Sequence, residues 1–219
     1  MKLNESPDPQ LVGRIIEGPD CVAEGAAWLA ARDPRLAAAL AATGPLPLRL
    51  RRDGFEALFS AIVSQQVSVA AASSIWNRLK AARLTGPRKV LWASEEELRA
   101  CGLSRQKVRY ARALAEARID YAALRTAPEA EVVATLVAVP GIGRWTAEIY
   151  AMFSLGRADV FAPGDLALQE AVRILFELEA RPSEAALREM AMDWTPWRGV
   201  AARLLWAYFR VSKQREGIG

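Results

Sequence analysis

The chain has 219 residues, 52% of them hydrophobic and 25% charged, with 29 lysines and arginines against 25 acids and no histidine. Without imidazole it lacks the commonest general base, the Ser-His-Asp and Cys-His arrangements and every histidine-ligated metal site. Its two cysteines, Cys21 and Cys101, are too few for a Cys-ligated zinc or iron–sulfur centre, so any chemistry rests on carboxylates, lysines, hydroxyls or backbone amides. Two cysteines also make no disulfide framework, and MKLNESPDPQ lacks the apolar core of a secretion signal; a reducing, cytoplasmic setting is expected. The uncharged stretch from Ala57 to Asn77 is interrupted by Ser64-Gln65-Gln66 and Ser73-Ser74, so it reads as buried helix and not as a membrane span. A net charge of +4 suits a polyanionic partner.

Helical periodicity runs through nearly the whole chain. Asp20 reads as the cap of a helix continuing to Arg32, and Asp33-Pro34 as an N-cap followed by proline in the first helical position. Gly44-Pro45-Leu46-Pro47 breaks the pattern. Asp53 then opens an apolar segment in which Phe55, Leu58, Phe59, Ile62 and Val63 recur at helical spacing. Ser68 starts the next helix, with Ile75, Trp76 and Leu79 on its apolar face. Ser94 followed by Glu97 predicts a capping box. Further helices are predicted over 104–119, 127–138, 144–155, 165–178, 183–192 and 197–212. Leu46 to Leu50 is too short and proline-interrupted for a strand, so the fold class is all-α. Between Arg78 and Arg112 ten basic residues face three acids, which reads as solvated helix faces or as a phosphate-binding surface. Trp28, Trp76, Trp92 and Trp206 read as packing residues.

The densest signal is Leu136-Val137-Ala138-Val139-Pro140-Gly141-Ile142-Gly143-Arg144-Trp145-Thr146-Ala147. An apolar helix ends, the chain turns through Pro-Gly-Ile-Gly, and another helix begins. Glycine leaves no side chain over the turn, so backbone amides there can approach an anion, aided by the positive end of the following helix. A nucleic-acid phosphate is the natural ligand, held without base readout. An ordinary helix–helix turn has the same composition.

Val139 to Ala147 closely resembles the hairpin of the helix-hairpin-helix DNA glycosylases. Three more segments fall in the family's order. Ile62-Val63-Ser64-Gln65-Gln66-Val67-Ser68-Val69-Ala70 resembles the loop that probes the DNA stack, and Val160-Phe161-Ala162-Pro163-Gly164-Asp165 the loop ending in the catalytic aspartate. Trp194-Thr195-Pro196-Trp197-Arg198 resembles the W-x-P-W-R element of the 3-methyladenine DNA glycosylase II (AlkA-type) branch. The resemblance implies two helical lobes with a helix-hairpin-helix motif and a cleft between them that holds Asp165. Residues 1–52 with 164–219 would form one lobe, and residues 53–163 a central six-helix lobe carrying wedge and hairpin. It looks like the short form, without the β-rich N-terminal domain of longer members.

Residue roles follow from the same resemblance. Gly141-Ile142-Gly143 would anchor a phosphate, with Thr146 as an additional donor. The family's hairpin backbone often holds a cation shared with that phosphate; no metal with side-chain ligands is implied. Gln66, next to Gln65, stands at the intercalating wedge, or else caps the helix end. Asp165 would stabilise the oxocarbenium-like sugar and orient water; as a plain alternative it caps the helix beginning at Leu166, and the two roles are compatible. Strand-cutting members place a lysine where this chain has Trp145, so a monofunctional, water-dependent enzyme is implied. Trp145 would face the cationic base, while Ile149 and Met152 pack the core. Trp194 or Trp197 would form a second aromatic wall or be core. Arg198 and the Ser104-Arg105-Gln106-Lys107 turn read as phosphate contacts. The four cysteines of the endonuclease III branch are missing, which removes an iron–sulfur cluster and leaves no cofactor. The expected enzyme excises 3-methyladenine and 7-methylguanine from damaged double-stranded DNA, as a monomer without a membrane partner. Two rivals are a helix-hairpin-helix module that binds DNA without cutting, and a glycosylase for uracil, mismatched or oxidised bases.

Overall fold

The computed structural model describes residues 12–215, and among them only helices and turns occur, with one isolated antiparallel bridge between Ile15 and Arg157. The chain opens with α1 (Pro19–Arg32) and α2 (Pro34–Thr43). Next come α3 (Phe55–Ser64), α4 (Val69–Ala81), α5 (Pro87–Trp92), α6 (Glu95–Ala100) and α7 (Arg105–Glu116). The short α8 (Tyr121–Leu124) precedes α9 (Glu129–Val137) and α10 (Arg144–Phe153). Finally α11 (Leu166–Leu175), α12 (Glu184–Met190), a 3-10 turn over Ala191–Trp194 and α13 (Arg198–Arg215) complete the fold.

Most helix starts are built by a local side chain. Ser68, Ser94, Ser104 and Ser183 each accept the amide three residues on, and Glu97 returns the favour to the Ser94 amide, which closes the capping box. Asp33 caps α2 through the Arg35 amide at 2.8 Å. Asp20 does not cap α1: the helix starts one residue earlier, with Pro19 in the first turn after an extended Gly18. Proline's fixed φ suits that position and its missing N–H costs nothing there.

Two compact units result, one made of the residues up to Leu50 together with those from Ala151 onward, the other of Arg51–Tyr150. In the first, α13 packs on α1, α2 and α11. Gly25 allows the approach, because a Cβ there would lie 2.6 Å from Cε3 of Trp197. In the second, α7 packs on α3, α5 and α6, and α4 on α3, around Phe59, Ile62, Leu79, Val90, Leu98 and Leu114.

The division at 150/151 corrects the sequence boundary at 163/164. Segment 151–163 belongs with the chain's two ends because its backbone is bonded to them. The Ile16 amide donates to Gly156 O at 2.7 Å, the Ala158 amide to Arg14 O at 2.9 Å, and the Gly199 amide to Ala158 O at 2.7 Å. The other boundary lies at 50/51 and not at 52/53.

Candidate functional site

In the first unit the segment leading to Asp165 is fixed from several sides. Val160, Phe161, Ala162 and Pro163 are buried. Buried Gln169 donates from Nε2 to Pro163 O at 2.8 Å. Gly199 admits the chain, since a Cβ there would sit 2.8 Å from Ala158 O. Arg198 grips the same segment, with Nε 2.9 Å from Asp159 Oδ1 and Nη2 2.7 Å from Asp159 O. Its guanidinium, read from the sequence as a phosphate contact, is therefore engaged within the unit.

Asp165 ends this segment as the N-cap of α11. Its Oδ1 accepts the amides of Ala167 at 2.9 Å and Leu168 at 3.1 Å, and the indole N–H of Trp206 at 3.2 Å. The Trp206 ring lies 5.7 Å from that of Phe153. Beneath Phe153, at 4.8 Å from the ring centre, is the buried guanidinium of Arg203, which also donates to Gly199 O at 2.7 Å and Leu48 O at 3.3 Å. Burial, with Arg49 nearby, pushes Arg203 down to about 10. A half-buried carboxylate thus stands in a fixed orientation at a helix start, held by three N–H groups, one of them from an indole packed on Phe153.

Trp206 was read from the sequence as packing alone; its N–H gives it a polar task that no local pattern announces. Trp92 is not a packing residue, being 76% exposed. Trp194 and Trp197 are both buried in the first unit. Trp194 packs edge-on against Phe161 at 5.4 Å and borders a cavity of about 490 Å³ with Trp28, Arg32, Arg35 and Phe176. Trp197 covers Gly25 and receives Arg14 over its ring at 5.5 Å.

In the second unit the predicted hairpin is a turn between α9 and α10. Gly141 has φ of +91°, and a Cβ there would lie 2.5 Å from Cδ2 of Tyr110, so only glycine fits. Gly143 meets nothing within 4 Å, so it faces open space. Ile142 is buried and its amide donates to Val139 O at 3.0 Å. Its side chain and amide root the turn. The first amides of α10 lie at its positive end, where a helix offers its own amides no acceptor, and Gly143 O accepts the Ala147 amide at 3.1 Å. Thr146, in the first turn of α10, is largely buried, whereas Trp145 is 47% exposed and Met152 fully buried. Arg144 pairs with buried Glu148 at 3.0 Å.

The predicted wedge loop follows α3. The Gln65 amide closes the helix on Ile62 O, and its Nε2 donates to Gly141 O at 2.8 Å, tying loop to hairpin. Gln65 is thus the helix-end residue, while exposed Gln66 stands at φ of +55°. Three residues on, at the start of α4, Val69 is 88% exposed. Gln65, Gln66, Ser104, Gln106, Lys107, Tyr110 and the hairpin residues Val139 to Gly143 line one cavity of about 420 Å³. Ser104 spends its hydroxyl on the α7 cap, and Arg105 is exposed, 3.7 Å from Glu95. Among the described residues no three acids or cysteines gather as a metal cluster, and no helix is long and apolar enough to cross a membrane.

Comparison with known proteins falls on these same elements. The family model for HhH-GPD superfamily base excision DNA repair proteins matches residues 59–196. The DNA-3-methyladenine glycosylase 1 of Schizosaccharomyces pombe is 33% identical over 166 residues, 71% of this chain and 72% of that protein. A DNA-3-methyladenine glycosidase structure from Bacillus halodurans superposes with a TM-score of 0.79 at 32% identity, covering 92% of this chain and 94% of the other. The S. pombe 3-methyladenine DNA glycosylase bound to abasic DNA gives a TM-score of 0.72 at 29% identity, over 84% of this chain and 95% of the other.

Proposed function

The chain belongs to the HhH-GPD superfamily of base excision DNA repair proteins, in its 3-methyladenine glycosylase branch, and we propose that it releases 3-methyladenine and 7-methylguanine by hydrolysis, with Asp165 as the catalytic group. It is a DNA glycosylase acting on alkylated DNA. Reaching a glycosidic bond hidden in the duplex requires flipping the nucleotide out. The hairpin amides from Gly143 onward would hold a backbone phosphate, and Gln66 would fill the vacated stack.

The observation that carries the reading is the arrangement at Asp165. Breaking the sugar–base bond develops positive charge on the sugar. A carboxylate whose orientation is set by the Ala167, Leu168 and Trp206 N–H groups needs no reorganisation to face that charge. An alkylated purine already carries positive charge, so it leaves without a strong general acid, and no cofactor is required. Trp145, exposed on the hairpin helix, offers an aromatic face to a cationic base. It also occupies the place of the strand-cutting lysine, so water takes the sugar carbon and an abasic site remains. One protein molecule suffices for one lesion, and the proposed working form is a monomer.

The test uses duplexes that each carry a single defined lesion. Asp165→Asn is expected to keep DNA affinity while single-turnover base release falls by roughly 10²–10⁴-fold. Trp206→Phe keeps an aromatic ring, a smaller one, but loses the N–H, and release should drop about tenfold. Strand breaks should arise only after alkali. Undiminished release by Asp165→Asn, or no free base from any alkylated duplex with the wild type, refutes the reading.

A further inference from the structure

Gln66 is a non-glycine residue at φ of +55°, on an exposed loop. Such a conformation costs a side-chain-bearing residue free energy and persists only where the surroundings hold it. Two side-chain contacts bracket this loop, one made by Lys107 from α7 and one by Gln65, the residue immediately before Gln66. Lys107, from the first turn of α7, reaches across to α3 and donates from Nζ to Val63 O at 2.7 Å. That carbonyl lies in the last turn of α3, where the helix leaves its acceptors unsatisfied and a cation is favoured. Gln65 holds the other side, from Nε2 to Gly141 O of the hairpin. Lys107, Gln65 and Gly141 line the same cavity as Gln66.

We propose that Lys107 and Gln65 form a two-point clamp that pre-sets the Gln66 loop and locks it to the hairpin, so that gripping a phosphate and entering the base stack are one rigid-body event. Lys107 is on this view a positioning residue and not a phosphate contact. Its ammonium is partly buried, and burial holds it below the ordinary lysine value, as fits a side chain spent inside the protein and not one kept in solvent for a polyanion. The inference rests on reading Gln66 as the group that enters the stack.

A clamp on the wedge matters only where the lesion must be pulled from a stacked helix. The experiment therefore compares a single 7-methylguanine in a paired duplex with the same base in an unstacked bulge, where extrusion costs least. Lys107→Met in the full chain should slow single-turnover release from the paired duplex by about ten- to a hundredfold, the worth of a charge-assisted hydrogen bond. Release from the bulge should stay within about threefold, since a hydrogen bond outside the reacting centre moves only the extrusion step. Lys107→Arg should restore the paired rate. Gln65→Leu removes the second contact without touching the lysine and carries the same expectation, which keeps the test decisive if one variant folds poorly. Equal losses on both substrates, or none on the paired duplex, overturn the clamp. Gln66→Ala run alongside separates the two ideas: a paired-duplex loss there with wild-type behaviour in Lys107→Met and Gln65→Leu leaves the wedge standing and removes the clamp.

Discussion

Gly141 and Gly143 are the same residue serving opposite physical needs. Gly141 is required by the protein itself, since its φ is +91° and the Tyr110 ring fills the space a side chain would take. Gly143 is required by nothing inside the described residues, for a Cβ there meets only open space. Their alanine variants should therefore separate. Gly141→Ala is expected to lower stability by about 2–4 kcal/mol, from overpacking and an unfavourable backbone together. Gly143→Ala should leave the melting temperature nearly unchanged and weaken DNA binding, because the added methyl stands where a phosphate would approach. Thermal melts and binding titrations on the two variants check this, and equal behaviour would remove the anchor role of Gly143. The capping role of Asp165 was legible because its Gly/Pro loop and its helix start are contiguous in the chain. Trp206 was not, since a hydrogen bond between residues 41 positions apart leaves no trace in local spacing. The inward turn of the Ile142 amide was not legible either, because within a hairpin motif sequence does not say which of three amides is turned inward.

At the scale of elements, the start of α13 acts as a cradle for segment 157–163, through Gly199 and the Arg198–Asp159 pair. Both side chains of that pair are mostly shielded, with 20% and 24% of their surface exposed. A double-mutant cycle on Arg198→Ala and Asp159→Ala is expected to give a coupling of about 1.5–3 kcal/mol in folding stability. A pure phosphate contact at Arg198 predicts additivity, with the loss appearing in DNA affinity alone. Helix starts were read well from sequence where a serine or aspartate accepts an amide three residues on. Ends were read less well: α7 stops at Glu116 and α11 at Leu175, each three residues short of the predicted limit. A helix end is decided by what the next segment packs on, not by its own composition.

For the whole molecule, all-α character and family were legible, because periodicity and four ordered motifs are local. The partition was not, because segment 151–163 is assigned by bonds to both ends of the chain, those to Val12, Arg14 and Ile16 spanning more than a hundred positions. That partition has a consequence for how the protein comes to exist. Arg51–Tyr150 is continuous, whereas its companion unit is assembled from both sides of it, with Arg203 bonded to Leu48 across 155 positions and Arg157 to Val12 across 145. Rates of folding fall as contacts become less local, and an already compact insert shortens the loop that the outer pieces must close. Refolding should thus be ordered, with Trp76 and Trp92 reaching their native signals before Trp28, Trp194 and Trp197. Stopped-flow fluorescence on variants that keep one tryptophan from each set would show it, and coincident phases would exclude it. The carboxylate at 165 is then among the last groups to be seated: a partly folded chain holds its hairpin turn before Asp165 is fixed in place.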